Sequence, residues 1–244
     1  METIKDSKKI IKENCYNKAY ELYGKNLPKK VEERLELEVN SIIKNDFEEI
    51  YLICSDLVKK SNEWGYEVGN RGSIGNSLVA YLLGITNLNP IDYNLPFEIF
   101  AGKNYDKIPD INLNFSGEVY NKILQYLQET FGQNKRVSLL HVLENDIQTM
   151  LHELEKITNV RSKNIDLKDK DTFSLFLHSN DKTYDGNLKG IPEFGTEFVS
   201  NMLEIAKPKN FNDLVCVSAL SHGTNTWTNN AEKLIINDSK KVNE

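Results

Sequence analysis

The sequence predicts an α/β fold, in the α+β arrangement, with helices packed on a small sheet. Several segments carry apolar residues at the three- and four-residue spacing of an amphipathic helix. Short apolar or alternating runs, which are typical of strands, lie between these segments in the first two thirds of the chain. Beyond about residue 160 a polar stretch leads only to helical segments, which favours a separate helical lobe.

The first strong helical pattern covers residues 28–43. Pro28 suits the first helical turn, and four apolar residues share one face: Val31, Leu35, Val39 and Ile42. The apolar run at 50–54 predicts a buried strand. Ser55 is predicted to cap a short helix after this strand, and Gly65 to end that helix.

A strand, a turn and a helix are predicted over residues 66–83, with the helix starting near Leu78. Residues 110–115 then alternate between polar and apolar side chains, which predicts a half-buried strand with Asp110, Asn112 and Asn114 on one face. The remaining predicted elements are a helix at 118–131, a strand at 137–143, a helix at 145–157, and helical segments at about 171–178, 195–206, 211–221 and 230–236.

Composition argues against several classes of function. The 244 residues, with 39% apolar and 27% charged, suit an ordinary soluble protein. No apolar run is long enough for a bilayer, and the charged start lacks the apolar core of a secretion signal, so we expect a cytoplasmic location and no membrane partner. The net charge of −6 disfavours tight binding of DNA through its backbone alone. Three widely spaced cysteines predict neither a disulfide framework nor a Cys-x-x-Cys zinc site.

The segment at 69–77, GNRGSIGNS, is a loop rich in Gly and Ser. The backbone N–H groups of such a loop, ahead of a helix, can surround a phosphate, and Arg71 would add positive charge. The loop matches neither a Walker motif nor a dinucleotide fingerprint. Because a Gly/Ser-rich turn can also be a plain tight connection, the loop alone leaves both interpretations open.

Together with its surroundings, the loop resembles the start of the palm in PolC-type DNA polymerase III α subunits, which are family C bacterial replicative polymerases. Residues 95–117 are similar to the segment that carries the first two catalytic aspartates of that family. Residues 190–235 are similar to part of its fingers and include an SHGT-x-x-W run. The resemblance extends from about residue 16 onward and assigns these residues to nucleotide binding: Gly69, Arg71, Gly72, Ser73 and His222.

The resemblance implies a polymerase-β-like nucleotidyltransferase palm followed by a helical, fingers-like lobe. We therefore predict a palm-like domain with a helical lead-in over residues 1–160 and a fingers-like remnant over 161–244. The family palm holds two magnesium ions with three acidic residues. Asp110 matches the first acidic position, but Asn112 occupies the second and His141 the third.

The loss of two carboxylates predicts the loss of two-metal catalysis. Magnesium prefers charged oxygen ligands, and each lost contact between ligand charge and ion is worth on the order of several kcal/mol. Two-metal transfer requires both ions to be held. The family thumb, which lies between Phe131 and Ser138, is reduced here to six residues, and the resemblance includes no exonuclease or clamp-binding region.

These observations lead to a catalytically degenerate relative of PolC that binds a nucleotide, DNA or a replication protein. No cofactor is expected, apart from magnesium if nucleotide binding persists. The alternative is an active DNA-directed DNA polymerase or nucleotidyltransferase that uses Asp110 with substitute ligands. A third hypothesis is a decaying gene product without a selected role.

Several residues keep a second interpretation. Asp110 could hold one cation with Asp106 or Glu118, or be a plain surface carboxylate. His141 could join Asp110 in a zinc site, but two ligands are too few, and a partly buried strand histidine is the alternative. His222 could contact a nucleotide or cap the preceding helix. No role is predicted for the other two histidines, His152 and His178.

Overall fold

The computed structural model of the chain describes residues 6–176, 188, 191, 194–222 and 225–235. The chain divides into two compact units, Met1–Ser162 and Lys163–Glu244. The α/β class predicted from the sequence is confirmed. Within the described ranges, no helix combines the length and the apolar character that a membrane span requires.

The first unit contains helices and a small sheet. Its helices are α1 (Ser7–Tyr23), α2 (Lys29–Lys44), α3 (Glu48–Glu63), α4 (Leu78–Leu82), α5 (Glu98–Ala101), α6 (Gly117–Phe131) and α7 (Asp146–Thr158). Its strands are β1 (Gly69–Arg71), β2 (Ile111–Phe115) and β3 (Leu140–Glu144). Short 3-10 helices occupy Ser73–Asn76 and Lys135–Leu139.

The sheet has the order β1-β2-β3, with β1 antiparallel to β2 and β2 parallel to β3. Helix α6 makes the crossover between the two parallel strands, as parallel pairing requires. The predicted alternation in β2 is confirmed, because Ile111, Leu113 and Phe115 are fully buried on the core face. The opposite face of β2 is therefore the one that presents polar side chains.

The predicted strand at 50–54 is wrong, because these residues lie inside α3. Their apolar run is continuous since this helix is buried around most of its circumference, and a short apolar run cannot by itself distinguish a strand from a buried helix. Ser55 is not a cap either, and its hydroxyl donates to the carbonyl of Leu83 at 2.6 Å. Gly65, with φ +91°, follows the end of α3 as predicted.

The helices predicted at 28–43, 118–131 and 145–157 are confirmed. The strand predicted at 137–143 begins only at Leu140, because the residues before it form a 3-10 helix.

The second unit, as far as it is described, is helical. It contains α8 (Lys170–Ser174), α9 (Glu197–Ala206), α10 (Phe211–Ser221) and a helical segment at Trp227–Ala231. Its core includes Met202, Leu203, Val217 and Trp227. The descriptions of the two units as palm-like and fingers-like stay predictions.

Candidate functional site

The strand pairing assembles a row of polar residues at one end of the sheet. Asn112 of β2 pairs with Arg71 of β1 on one side and with His141 of β3 on the other. Directly paired residues present their side chains on the same face of a sheet. Asp110 immediately precedes β2 and completes this set. We call Arg71, Asp110, Asn112 and His141 the polar row.

Asp110 is in contact with both Asn112 and His141. The Asn112 side-chain amide donates to Asp110 Oδ1 at 3.0 Å, and His141 Nε2 lies 3.8 Å from the same oxygen. The side chains of Asp110 and His141 are each 59% exposed, so the interpretation of His141 as partly buried is wrong. The three positions predicted to match the family's acids therefore converge at an open surface, and they contribute one carboxylate.

The Gly/Ser-rich segment at 69–77, which we call the glycine loop, leaves β1 at this same end of the sheet. Because β1 runs antiparallel to β2, the chain that leaves Arg71 lies beside the start of β2, next to Asp110. Gly72 has φ +89°, which L side chains rarely adopt, and this turns the chain into the 3-10 helix at Ser73–Asn76. The register thus places Arg71, Gly72 and the start of the 3-10 helix at Ser73 at the same end of the sheet as Asp110.

The N-terminus of α4, just beyond the loop, is already filled by a carboxylate. Glu38 of α2 is fully buried and accepts hydrogen bonds from Ser77 Oγ at 2.8 Å and from the backbone N–H groups of Leu78 and Val79 at 2.9 and 3.0 Å. Arg34 Nε donates to Glu38 at 2.5 Å. Any phosphate at this site therefore has to use the loop ahead of α4.

Burial is the main influence on the ionisation of Glu38 and raises the pKa of its carboxyl group. The guanidinium of Arg34 and the N–H donors at the start of α4 oppose this rise. Glu38 was not predicted from the sequence. The available signal was the spacing of four between Arg34 and Glu38 at the edge of the apolar face of α2.

Two other residues assigned to nucleotide binding have structural explanations for their identity. A Cβ at Gly69 would overlap the side-chain amide nitrogen of Gln148 in α7, so a side chain there would require the end of Gln148 to move. His222, in the second unit, is the C-cap residue of α10, with Nδ1 2.6 Å from the carbonyl oxygen of Ser218. The capping interpretation of His222 is confirmed, and its contact with a nucleotide stays a prediction. His178 lies outside the described residues.

A cation shared by Asp110 and Glu118 is excluded by the strand between them. Asp110 precedes β2, whereas Glu118 lies in the first turn of α6, which follows β2. The five residues of β2 span about 16 Å. Glu118 belongs to a different surface from the polar row.

The comparisons with known proteins agree with the resemblance seen in the sequence. A model of the family described as the bacterial DNA polymerase III alpha NTPase domain matches residues 9–207. The PolC-type DNA polymerase III of Mycoplasma genitalium is 30% identical, over 95% of this chain and 26% of the relative. That of Mycoplasmopsis pulmonis is also 30% identical, over 98% and 27%, and that of Thermotoga maritima is 28% identical, over 99% and 28%.

Two facts about these alignments bear on the site. The chain spans about a quarter of the length of these relatives, between 26% and 28%. The alignment with the Mycoplasma genitalium protein runs over 380 positions, whereas the chain has 244 residues. The relative therefore contains internal segments with no counterpart in this chain. In this chain, α6 and β3 are joined by only a short connection that includes the 3-10 helix Lys135–Leu139.

Proposed function

Because the chain belongs to the family of the bacterial DNA polymerase III alpha NTPase domain, we propose that it binds the phosphates of a nucleotide or of DNA at the polar row without catalysing nucleotidyl transfer. The observation that carries this proposal is the convergence of Asp110, Asn112 and His141, which leaves one carboxylate where the family is expected to have three. Membership of a replicative polymerase family also makes a replication protein a candidate partner.

The chemistry of the row disfavours a pair of magnesium ions. Magnesium requires near-octahedral coordination by hard oxygen ligands, and imidazole is better suited to softer metals. Asn112 supplies no charge, and its amide nitrogen points at the remaining carboxylate. Arg71 stands in the same row and would repel a cation. Without two bound ions, the attacking and leaving oxygens of phosphoryl transfer are not both stabilised.

The donor groups of the polar row outnumber its one carboxylate and favour an anion. Arg71 provides a guanidinium, Asn112 an amide and His141 an imidazole, and all three groups can donate N–H hydrogen bonds. Ser73 and the backbone of the loop after Gly72 lie at the same end of the sheet. Arg is well matched to phosphate because its fork of donors binds two oxygens at once. We therefore expect a nucleotide triphosphate to bind without a divalent metal.

Titration calorimetry with a dNTP in the presence of EDTA tests this proposal. We expect measurable binding by the unmodified chain, and the Arg71→Gln variant should bind about 10- to 100-fold more weakly, since hydrogen bonds to charged groups contribute roughly 1.5–3 kcal/mol. Arg161→Gln is the matched control. Arg161 lies just after α7, is exposed, and pairs with Glu155 of that helix. Absence of binding without metal, or equal binding by Arg71→Gln and the unmodified chain, would overturn the proposal.

An active nucleotidyltransferase is the second candidate function. One observation favours it, namely that His141 Nε2 lies 3.8 Å from Asp110 Oδ1, close enough for both residues to turn toward one ion. A single ion held by two ligands would still lack the partner ion of the two-metal mechanism. Incorporation of a labelled nucleotide distinguishes the two functions.

A further inference from the structure

A separate cluster of metal-ligand side chains lies beyond the opposite end of β2 from Asp110. Glu118 stands in the first turn of α6, and His152 and Glu153 stand in α7. Their carboxylate oxygens and imidazole nitrogen lie within 4.8 Å of one another. The cluster therefore joins two helices of the same unit that are distant in sequence.

Tyr66 contacts the ligands from both helices. Its hydroxyl donates to Glu118 Oε2, and its ring lies against the His152 imidazole with the ring centroids 4.1 Å apart. Such outer contacts orient ligand side chains and strengthen metal sites. Glu153 also pairs with Lys156 at 2.7 Å, but both of these side chains are about half exposed, so a metal ion can displace Lys156 into solvent.

We propose that Glu118, His152 and Glu153 bind one divalent transition-metal ion, for which zinc is the best match. Imidazole nitrogen and carboxylate oxygen are both zinc ligands, and three protein ligands leave a fourth position for water. The imidazole makes magnesium or calcium a poorer match, since both prefer oxygen ligands. This site is independent of the polar row and of the function proposed for it.

The ion would fasten α7 to α6. No residue of α7 is buried, although its neighbour α6 buries Val119, Ile123 and Leu127. Near its start, α7 is held by Thr149, whose hydroxyl lies 2.8 Å from Ser116 Oγ. His152 and Glu153 lie farther along the helix, so a metal link would add a second point of attachment.

Titration of the metal-free full chain with zinc chloride, followed by calorimetry and by thermal unfolding, tests the proposal. We expect one zinc ion per chain at micromolar concentration or below, and a higher Tm with zinc than with EDTA. Glu118→Gln and His152→Gln should each weaken zinc binding by about tenfold or more, since even the loss of an outer contact to a ligand costs about 10- to 100-fold. Glu118→Gln keeps an acceptor for the Tyr66 hydroxyl, so it decides the question if His152→Gln does not fold.

The matched controls change ligand-type residues in the polar row. Asp110→Asn and His141→Gln should bind zinc with the same stoichiometry and affinity as the unmodified chain. The proposal is overturned if the unmodified chain takes up no zinc, or if both cluster variants bind it normally. It is equally overturned if zinc binding is lost in the polar-row variants and retained in the cluster variants.

Discussion

Replacing Glu38 with Ala is expected to lower the free energy of unfolding by about 3–5 kcal/mol, the usual cost of removing one partner of a buried ion pair. The buried carboxylate of Glu38 is the acceptor for Arg34, for the Ser77 hydroxyl and for the first N–H groups of α4. Its removal leaves the buried Ser77 hydroxyl and the buried N–H groups of Leu78 and Val79 without this acceptor. Arg34 keeps two other acceptors, the carbonyl oxygens of Leu95 and Asn76. Chemical denaturation, followed by far-ultraviolet circular dichroism, measures the loss.

Glu36→Ala is the control for this experiment. Glu36 lies on the same helix and is exposed, so its replacement should change the free energy of unfolding by no more than about 0.5 kcal/mol. An equal, small effect in both variants would show that Glu38 does not hold α4 and the glycine loop in place. A large loss of unfolding free energy in Glu38→Ala alone would show that the geometry of the loop depends on its attachment to α2.

The double variant Asn112→Asp with His141→Asp is expected to bind manganese about 100-fold more tightly than the unmodified chain, or better. The two substitutions restore carboxylates at positions whose side chains already approach Asp110. Each restored contact between a carboxylate and the ion contributes on the order of several kcal/mol, part of which Arg71 offsets by repulsion. Electron paramagnetic resonance of free manganese measures the affinity directly.

A second double variant, Asn40→Asp with Asn201→Asp, makes the same change of charge at two exposed positions outside the polar row. It should leave manganese affinity near that of the unmodified chain. If the two double variants bind manganese alike, the polar row has no geometry suited to metal ions. The predicted match between its residues and the family's acidic positions is then wrong. Stronger binding by the row variant alone supports that relation.

Local pattern was sufficient for most of the elements and for the polar face of β2. The alternation of residues 110–115 placed Asp110 and Asn112 correctly at the polar side of β2, because a half-buried strand has a period of two. The spacing in α2 was equally clear. The run at 50–54 was misread because a helix buried on most sides lacks the polar stripe that reveals its period.

Contacts between distant segments could not be read from the sequence. Glu38 and the start of α4 are about 40 residues apart, and no local pattern shows that the Glu38 carboxylate accepts hydrogen bonds from the first N–H groups of α4. His152 was given no role because its partner Glu118 lies on another helix. The burial of Asn114 on the polar face was also missed; it lies beside Gly69, where Gln148 of α7 approaches. Each of these depends on tertiary packing, which local propensity does not encode.

The proposed absence of catalysis is tested most directly by incubating the unmodified chain with a primed DNA template, labelled dNTPs and magnesium or manganese, and by measuring incorporation. We expect no incorporation above that of the Asp110→Ala variant, because one carboxylate cannot hold the two ions that the reaction needs. Metal-dependent incorporation by the unmodified chain that Asp110→Ala abolishes would contradict this, and would establish an active polymerase with substitute ligands.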